Sequence, residues 1–549
     1  MDPRAAPDRP AGGGPAPAAV PERGPAATGP DEAEAPSAVF GSSNPDGKSV
    51  PAAGDDGAAP AASGRRAAPA WAVPALVAAV MLAVGLWGLD RGSMWRDEEA
   101  TFDAAHRTVP QLLAMVRHVD AVHAAYYLLM HVWMLPGGGE VWMRVPSVLG
   151  AAAAAALVAA LGARLLRPRA GLLAGLLFAA TPLVTFYAQE GRSYALVCAA
   201  VLLATYCLVR AVEAPEGRCW WAGYAAAAAA ASLLHEFAVL ALAAHAAALL
   251  LSRVPRRVWL RWAAAAAACC AVLAPLALYS RRQSGQVGWL ERPGWDAVWG
   301  LVRSLAGPAP AAVAAVLVLA AAGAVLPPRG RGPLGLAAVA APLAVVPPAL
   351  LLLASQVRPV YHERYVLFCA AGLPLLAAAG AERAAALLRF RGAAALLAAA
   401  AVAAAVLPQL PRQSELRTLQ ARPDDLAGAA RAVAAGARPG DGVVFLTPNY
   451  RAVELAYPGA FRNTADVALE RTPLRAANLR GTELSRREVR GAVLARDRIW
   501  LVGRAGLRVR SGDSGARNKK DVLGGSYRTV TTVHVHGLDV RLYERKEKG

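Results

Sequence analysis

Trp95-Arg96-Asp97-Glu98-Glu99-Ala100-Thr101 follows closely on an apolar run, Trp71 to Leu89, long enough to cross a bilayer. Three successive carboxylates at the mouth of a membrane helix have two readings. They are solvated loop charges, since carboxylates are usually exposed, or they form the acidic centre of a site at the membrane face. The second reading gains weight from the rest of the chain, whose polar clusters fall on the same side of the membrane once the apolar runs are threaded.

The 549-residue chain is 56% hydrophobic with a positive mean hydropathy. Its apolar runs are of spanning length and are separated by short Arg-rich loops, the pattern of a polytopic membrane protein. The formal net charge of +19 sits mostly in hairpins between spans. It is a topology signal and not a nucleic-acid footprint, because no basic stripe with interleaved aromatics accompanies it. All six cysteines, Cys198, Cys207, Cys219, Cys269, Cys270 and Cys369, lie in or beside spans, where small apolar packing is their expected role.

Residues 1–66 are rich in Ala, Pro, Gly and Asp with almost no large apolar side chain, which predicts a disordered tail. Arg65 and Arg66 precede the first span and place that tail in the cytoplasm by the positive-inside tendency. Within 101–140 two interfacial helices are expected. Val109, Leu112, Leu113 and Val116 recur at helical spacing, and Val122 to Leu135 is too short to span comfortably. Further spans are predicted at about 141–163, 170–187, 192–212, 219–234, 236–252, 258–279, 308–327, 333–354, 364–388 and 391–409, about eleven in all by the twenty-residue criterion.

Threaded alternately, these spans put Arg164, Arg167, Arg169, Arg253, Arg256, Arg257, Arg329 and Arg383 inside. The carboxyl terminus is then outside. Beyond about 410 the composition becomes that of a small α/β domain, 411–549, with buried strands at 442–446 and 499–502, helices at 424–435 and 486–494, and a terminal hairpin around Gly537. It carries no Gly-x-Gly-x-x-Gly or P-loop signature. The predicted fold is therefore a mainly α polytopic membrane protein, its membrane part covering 67–410, with a small extracytoplasmic α/β domain. It belongs in the plasma membrane.

The outer face collects the candidate site. Asp97 leads, because a carboxylate beside a low-dielectric surface can take a proton from an attacking hydroxyl; Glu98 follows it. Asp120, His123, Tyr126 and Tyr127 read either as an interfacial aromatic belt or as groups that bind phosphate and orient a carboxylate. Arg144, in Arg144-Val145-Pro146-Ser147, is a helix-start signal or a partner for the acidic cluster. Gln189, Glu190, Arg192 and Tyr194 share a tight hairpin at membrane depth, where polar groups are functional hypotheses by default. Arg364, beside Tyr365, suits phosphate oxygens or snorkels at a span end. His235-Glu236 alone does not make a metal site. No cofactor is implied, and the need for a divalent metal is not decided by these residues.

The order of these motifs resembles the GT-C polytopic glycosyltransferases, closest to the family 39-like branch that holds protein O-mannosyltransferases, lipid A aminoarabinose transferases and bacterial relatives. The resemblance covers about 71–409. Relatives often carry His-Pro-Pro before Tyr-Tyr, where this chain has His123-Ala124-Ala125-Tyr126-Tyr127. It implies a sugar on a polyprenyl phosphate as donor, an extracytoplasmic acceptor hydroxyl on glycan, lipid or protein, and Asp97 as base in an inverting transfer. A hexose such as mannose, or a pentose, fits the moved sugar. A transporter or flippase of lipid-linked sugars is the alternative, against which stands the lack of paired halves with matching broken spans.

Overall fold

The structure is a computed structural model that describes residues 69–549 apart from 308, 328–329, 388–395, 397–399, 401–402, 405, 510 and 548–549. The expected amino-terminal tail, 1–66, lies outside the described residues. Residues 67–549 form one compact unit.

The membrane part opens with α1 (Ala72–Leu86), α2 (Arg96–His106), α3 (Val109–Val116), α4 (Ala124–Met134) and α5 (Glu140–Leu165). It continues with α6 (Pro168–Ala180), α7 (Pro182–Ala188), α8 (Tyr194–Glu213), α9 (Arg218–Leu234), α10 (Leu240–Leu251) and α11 (Arg256–Ser280). α12 (Trp295–Ala306), α13 (Pro310–Val325), α14 (Leu336–Val357) and α15 (Gly372–Ala386) follow, the last entered through a 3₁₀ segment, Glu363–Ala371.

Of the eleven expected spans, ten fall on described helices; the eleventh, 391–409, lies largely outside the described residues. Among the described residues, five helical stretches, including Glu363–Ala386, are long and apolar enough to cross a membrane alone, or up to seven if two bent pairs each count once. One such pair, α6 and α7, was read as a single run at 170–187. It bends by 67° at Thr181–Pro182 because proline offers no N–H and holds the preceding residue extended.

Small residues let the helices close on one another. A Cβ built on Gly380 of α15 would collide with the Leu319 carbonyl of α13, and one on Gly171 of α6 with the Ala159 carbonyl of α5. Packing through small residues is how helices associate where lipid supplies no hydrophobic drive between them. The carbonyls left open at the end of α1 are met from elsewhere. Gln189 Nε2 donates to Gly85 O (2.9 Å) and Trp87 O (2.8 Å). Arg417 adds bonds to Trp87 O and Val84 O, both 2.7 Å, a cation where the helix dipole favours one.

α3 begins with a capping box, Thr108 and Gln111 exchanging bonds with each other's backbone. α2, α3 and α4 bury Ala104, Leu112, Met115, Tyr126 and Met130 in a core continuous with Leu426, Val443 and Phe445 of the C-terminal segment. That segment is a five-stranded sheet in the order β2-β1-β5-β7-β6. β1 (Asp441–Phe445), β2 (Thr464–Asp466) and β5 (Arg498–Arg504) run parallel, and β7 (Leu538–Arg545) and β6 (Tyr527–Val535) add antiparallel strands. A separate ribbon pairs β3 (Leu469–Arg471) with β4 (Thr482–Glu483). Trp500, fully enclosed, satisfies its indole N–H on Asp441 Oδ2 at 3.0 Å. The predicted buried strands, the helix Arg486–Leu494 and the hairpin turning at Gly537 (φ 76°) are all present.

Candidate active site

Asp97, Glu98 and Glu99 occupy the first turn of α2, where the positive end of the helix dipole stabilises carboxylates. Successive helical residues point about 100° apart, and the three find three different surroundings. Asp97 faces a cavity of about 1680 Å³. Glu98 is fully buried and held by Arg144 through two parallel bonds, Nε to Oε1 and Nη2 to Oε2, both 2.8 Å. Glu99 is fully buried and ion-paired with Arg480 of the C-terminal segment. Burial pushes Glu99 up to about 7 against the opposing pull of Arg480.

Glu98 therefore supports the turn and does not line the cavity. Its Oε1 also accepts from the Gly191 N–H at 2.8 Å, which ties α2 to the hairpin after α7. Arg144 spends its remaining donors on Leu89 O, Gly92 O and Ser93 O, at 2.9 to 3.2 Å. This one guanidinium thus shapes the whole link between α1 and α2. Gln189, read as a site residue, caps α1 instead.

Asp97 is different. Its Oδ2 accepts from Arg364 Nη1 at 3.0 Å and its side chain keeps 33% of its surface open. Burial tends to raise its pKa, but Arg364, Arg192 and Arg96 together outweigh burial and hold it below the ordinary Asp range. The carboxylate is ionised. The Arg364 guanidinium stands 5.4 Å from the Tyr194 ring and 5.6 Å from that of Tyr365, a setting in which cation–π attraction adds to the ion pair.

Arg192 lies on the other side of Asp97. Its Nη1 donates to the Asp97 carbonyl at 3.2 Å, and its Nη2 meets His123 Nε2 at 2.7 Å. A guanidinium only donates, so His123 accepts there and is the neutral tautomer with its proton on Nδ1. Burial, and then Arg192, hold its pKa well below 6.5. Asp120, in a left-handed conformation (φ 57°), accepts from Tyr127 Oη at 2.8 Å. Tyr127 in turn lies 3.4 Å from Arg192 Nη1. Arg192 and Arg364 each keep an Nε–H with no protein partner among the described residues.

Other predicted residues surround this group. His235 and Tyr365 line the cavity with ring centroids 4.6 Å apart. Tyr126 and Tyr194 are buried behind it, their hydroxyls without partners among the described residues. Glu190 is fully enclosed, with neither carboxylate oxygen hydrogen-bonded among the described residues. Burial pushes it up to about 7 in spite of Arg422 and Arg364. Among the described residues no three His, Cys, Asp or Glu side chains converge as a metal site would require.

The sequence reading missed one wall of the cavity. Asp424, Thr447, Tyr450, Arg480, Arg504 and Arg508 line it from the C-terminal segment. Arg96 Nε reaches Asp424 Oδ2 at 2.5 Å, and Arg107 Nη2 reaches Asn478 O at 2.6 Å, so that wall is fastened to α2. The signal was present: 446–450 and 503–509 follow the two central predicted strands, and ligands bind beyond the carboxyl ends of parallel strands.

The family model described as dolichyl-phosphate-mannose-protein mannosyltransferase matches residues 122–279, which include His123, Tyr127, Arg144, Arg192 and His235. No curated protein matches the sequence. Among solved structures, the chain is similar to ArnT from Cupriavidus metallidurans bound to undecaprenyl phosphate, at 13% identity and a TM-score of 0.53, over 87% of this chain and 98% of that one. The same protein in the apo state aligns at 13% identity and a TM-score of 0.54, over 85% and 97%. At that identity the likeness concerns the fold. The family match falls on 122–279 alone, a stretch that takes in the second interfacial helix and the hairpin around Arg192, and the structural likeness spans nearly the whole membrane part and the C-terminal segment.

Proposed function

We propose that this enzyme moves a sugar from a polyprenyl-phosphate donor to an acceptor hydroxyl on the extracytoplasmic side, with inversion at the anomeric carbon. The observation that carries the reading is the Asp97 carboxylate, open to a large cavity and flanked by two arginines that each keep an unpartnered Nε–H among the described residues. The undecaprenyl phosphate bound by ArnT and the family's description support a lipid-phosphate donor.

In the transfer, the acceptor oxygen forms a bond to the anomeric carbon as the bond from that carbon to the phosphate oxygen breaks. The electron pair leaves with the lipid phosphate, and the hydroxyl proton passes to Asp97. A carboxylate held below its ordinary pKa is a weak base, so it accepts the proton late, once bonding to the sugar has acidified the hydroxyl. Until then it orients the hydroxyl and stabilises positive character on the sugar. Arg364 and Arg192 suit the charge that develops on the leaving phosphate.

Arg364 tests the phosphate role best, because Arg192 also braces His123 and Tyr127. Arg364→Ala should weaken inhibition by free polyprenyl phosphate roughly 10- to 100-fold, the scale of a charge-assisted hydrogen bond of about 1.5–3 kcal/mol. Turnover should fall with it. Unchanged inhibition by the lipid phosphate would take Arg364 out of that role.

The orientation we propose puts Arg256 in the cytoplasm and the segment from about 411 onward outside, following the arginine distribution. In a background with the exposed Cys219 and Cys270 changed to Ser, a membrane-impermeant thiol reagent should label Arg475→Cys in intact cells. Arg256→Cys should label only after permeabilisation. Labelling of both in intact cells, or of neither, would overturn the topology and with it the side on which the transfer takes place.

A further inference from the structure

The described lining of the cavity holds eight arginines and five carboxylates. The carboxylates are already engaged: Asp97 by Arg364, Asp120 by Tyr127, Glu236 by the Ser280 hydroxyl (2.7 Å), Asp424 by Arg96, and Asp513 by the Ala516 N–H (2.9 Å). Arg504 and Arg508 make no side-chain hydrogen bond or ion pair among the described residues, and both are exposed. They stand where β5 ends, on the wall supplied by the α/β segment.

That loop is built to present them. The Gly506 N–H is fixed on Asp539 Oδ2 at 2.9 Å, and the Ala505 N–H on Gly537 O at 3.1 Å. Leu507 takes a left-handed conformation (φ 46°) that costs a branched side chain energy, yet it is buried as an anchor. With Leu507 turned inward, Arg504 and Arg508 are left to the cavity. The neighbouring loop at the end of β1 brings Asn449 and the Tyr450 ring to the same wall.

We infer that this wall binds the acceptor, and that the acceptor is an anionic saccharide carrying carboxylate or phosphate groups. The inference rests on the transferase reading above and adds the chemistry of its second substrate. Two guanidiniums without partners among the described residues suit planar carboxylates or phosphates. An amide and an aromatic face beside them suit sugar hydroxyls and the apolar face of a sugar ring. The excess of arginine would also draw such a molecule into the cavity at low ionic strength.

Binding can be measured without donor, by calorimetry on the full-length protein in nanodiscs. The probes are tetragalacturonate, a phosphorylated maltotetraose, neutral maltotetraose and an acidic serine-containing peptide. At least one anionic saccharide should bind about tenfold or more tighter than maltotetraose, a difference of about 1.4 kcal/mol, and the advantage should shrink as salt is raised. Which of the two binds separates a carboxylate from a phosphate as the anion. The double change Arg504→Gln, Arg508→Gln should abolish most of that preference, while Arg504→Lys, Arg508→Lys should retain part of it. Equal affinity for charged and neutral saccharides, an unaltered preference in the Gln variant, or tighter binding of the acidic peptide would overturn the inference. A charge preference with no sugar transfer to any acceptor would sink the transferase reading and leave the anion site standing.

Discussion

Asp97→Asn should slow sugar transfer by roughly 10²- to 10⁴-fold, the usual contribution of general-base assistance, while the protein still inserts and binds donor. The substitution keeps size and removes charge. It leaves Arg364 without the carboxylate that now accepts from it at 3.0 Å, yet donor phosphate can take up that guanidinium. The pH dependence gives a second readout. Asp97 is held below the ordinary Asp range, so it stays ionised as pH falls from neutrality and loses its charge only under strongly acid conditions. Transfer by the wild type should therefore persist through about pH 5 as far as Asp97 governs it. A loss of activity near neutrality would point elsewhere, to Glu190 or Glu99 at about 7, and Glu190→Gln would tell them apart. Near-normal transfer by Asp97→Asn, with donor and acceptor both saturating, would sink the assignment.

Arg144→Met should be as damaging by a different route. It strands the Glu98 carboxylate in a fully buried site where, among the described residues, the Gly191 N–H is the remaining hydrogen-bond donor. Removing one partner of a buried ion pair typically costs about 3–5 kcal/mol. Three backbone carbonyls between Leu89 and Ser93 lose their donor at the same time. The expected result is a large drop in thermal midpoint and poor accumulation in the membrane. Adding Glu98→Gln should recover part of the loss, because the amide oxygen still accepts from Gly191 and no charge is left unpaired. That partial rescue separates a supporting role for Glu98 from a chemical one. A single Arg144→Met variant that melts with the wild type would contradict the picture.

The fold was legible where hydrophobic patterning is strong. Apolar runs mark the helices and two apolar stretches mark β1 and β5, while the bend at Pro182 is hidden inside a single apolar run, 170–187. The site was legible only as a neighbourhood. Asp97, Glu98 and Glu99 are chemically alike in the sequence, and their fates are set by partners far away: Arg364, Arg144 and Arg480. No local rule says which of three adjacent carboxylates will meet a void, because that depends on which long-range contacts fill the other two directions. For the same reason Gln189 reads as a site group when it braces the end of α1, whereas Arg144 is the partner of the acidic cluster that one of its two readings allowed. Arg192 gave the opposite case: a tight polar hairpin signalled it, and the structure places it against Asp97 and His123. Arg504 and Arg508 escaped because their one mark is position, just beyond the carboxyl end of a predicted strand, and as residue types they look like any exposed arginine.

The fastening of Arg96 to Asp424 and of Glu99 to Arg480 bears on how such enzymes can be recombined. Both ties grip the same helical turn that carries Asp97, so the C-terminal segment cannot be exchanged for a relative's as an independent cassette. A chimera joined near residue 410 would bring in foreign side chains at the positions of Asp424 and Arg480, and with them a differently set Asp97. Swapping acceptor preference would then require the graft to carry its own matched α2, which makes the first turn of that helix the natural unit of exchange along with the segment it holds.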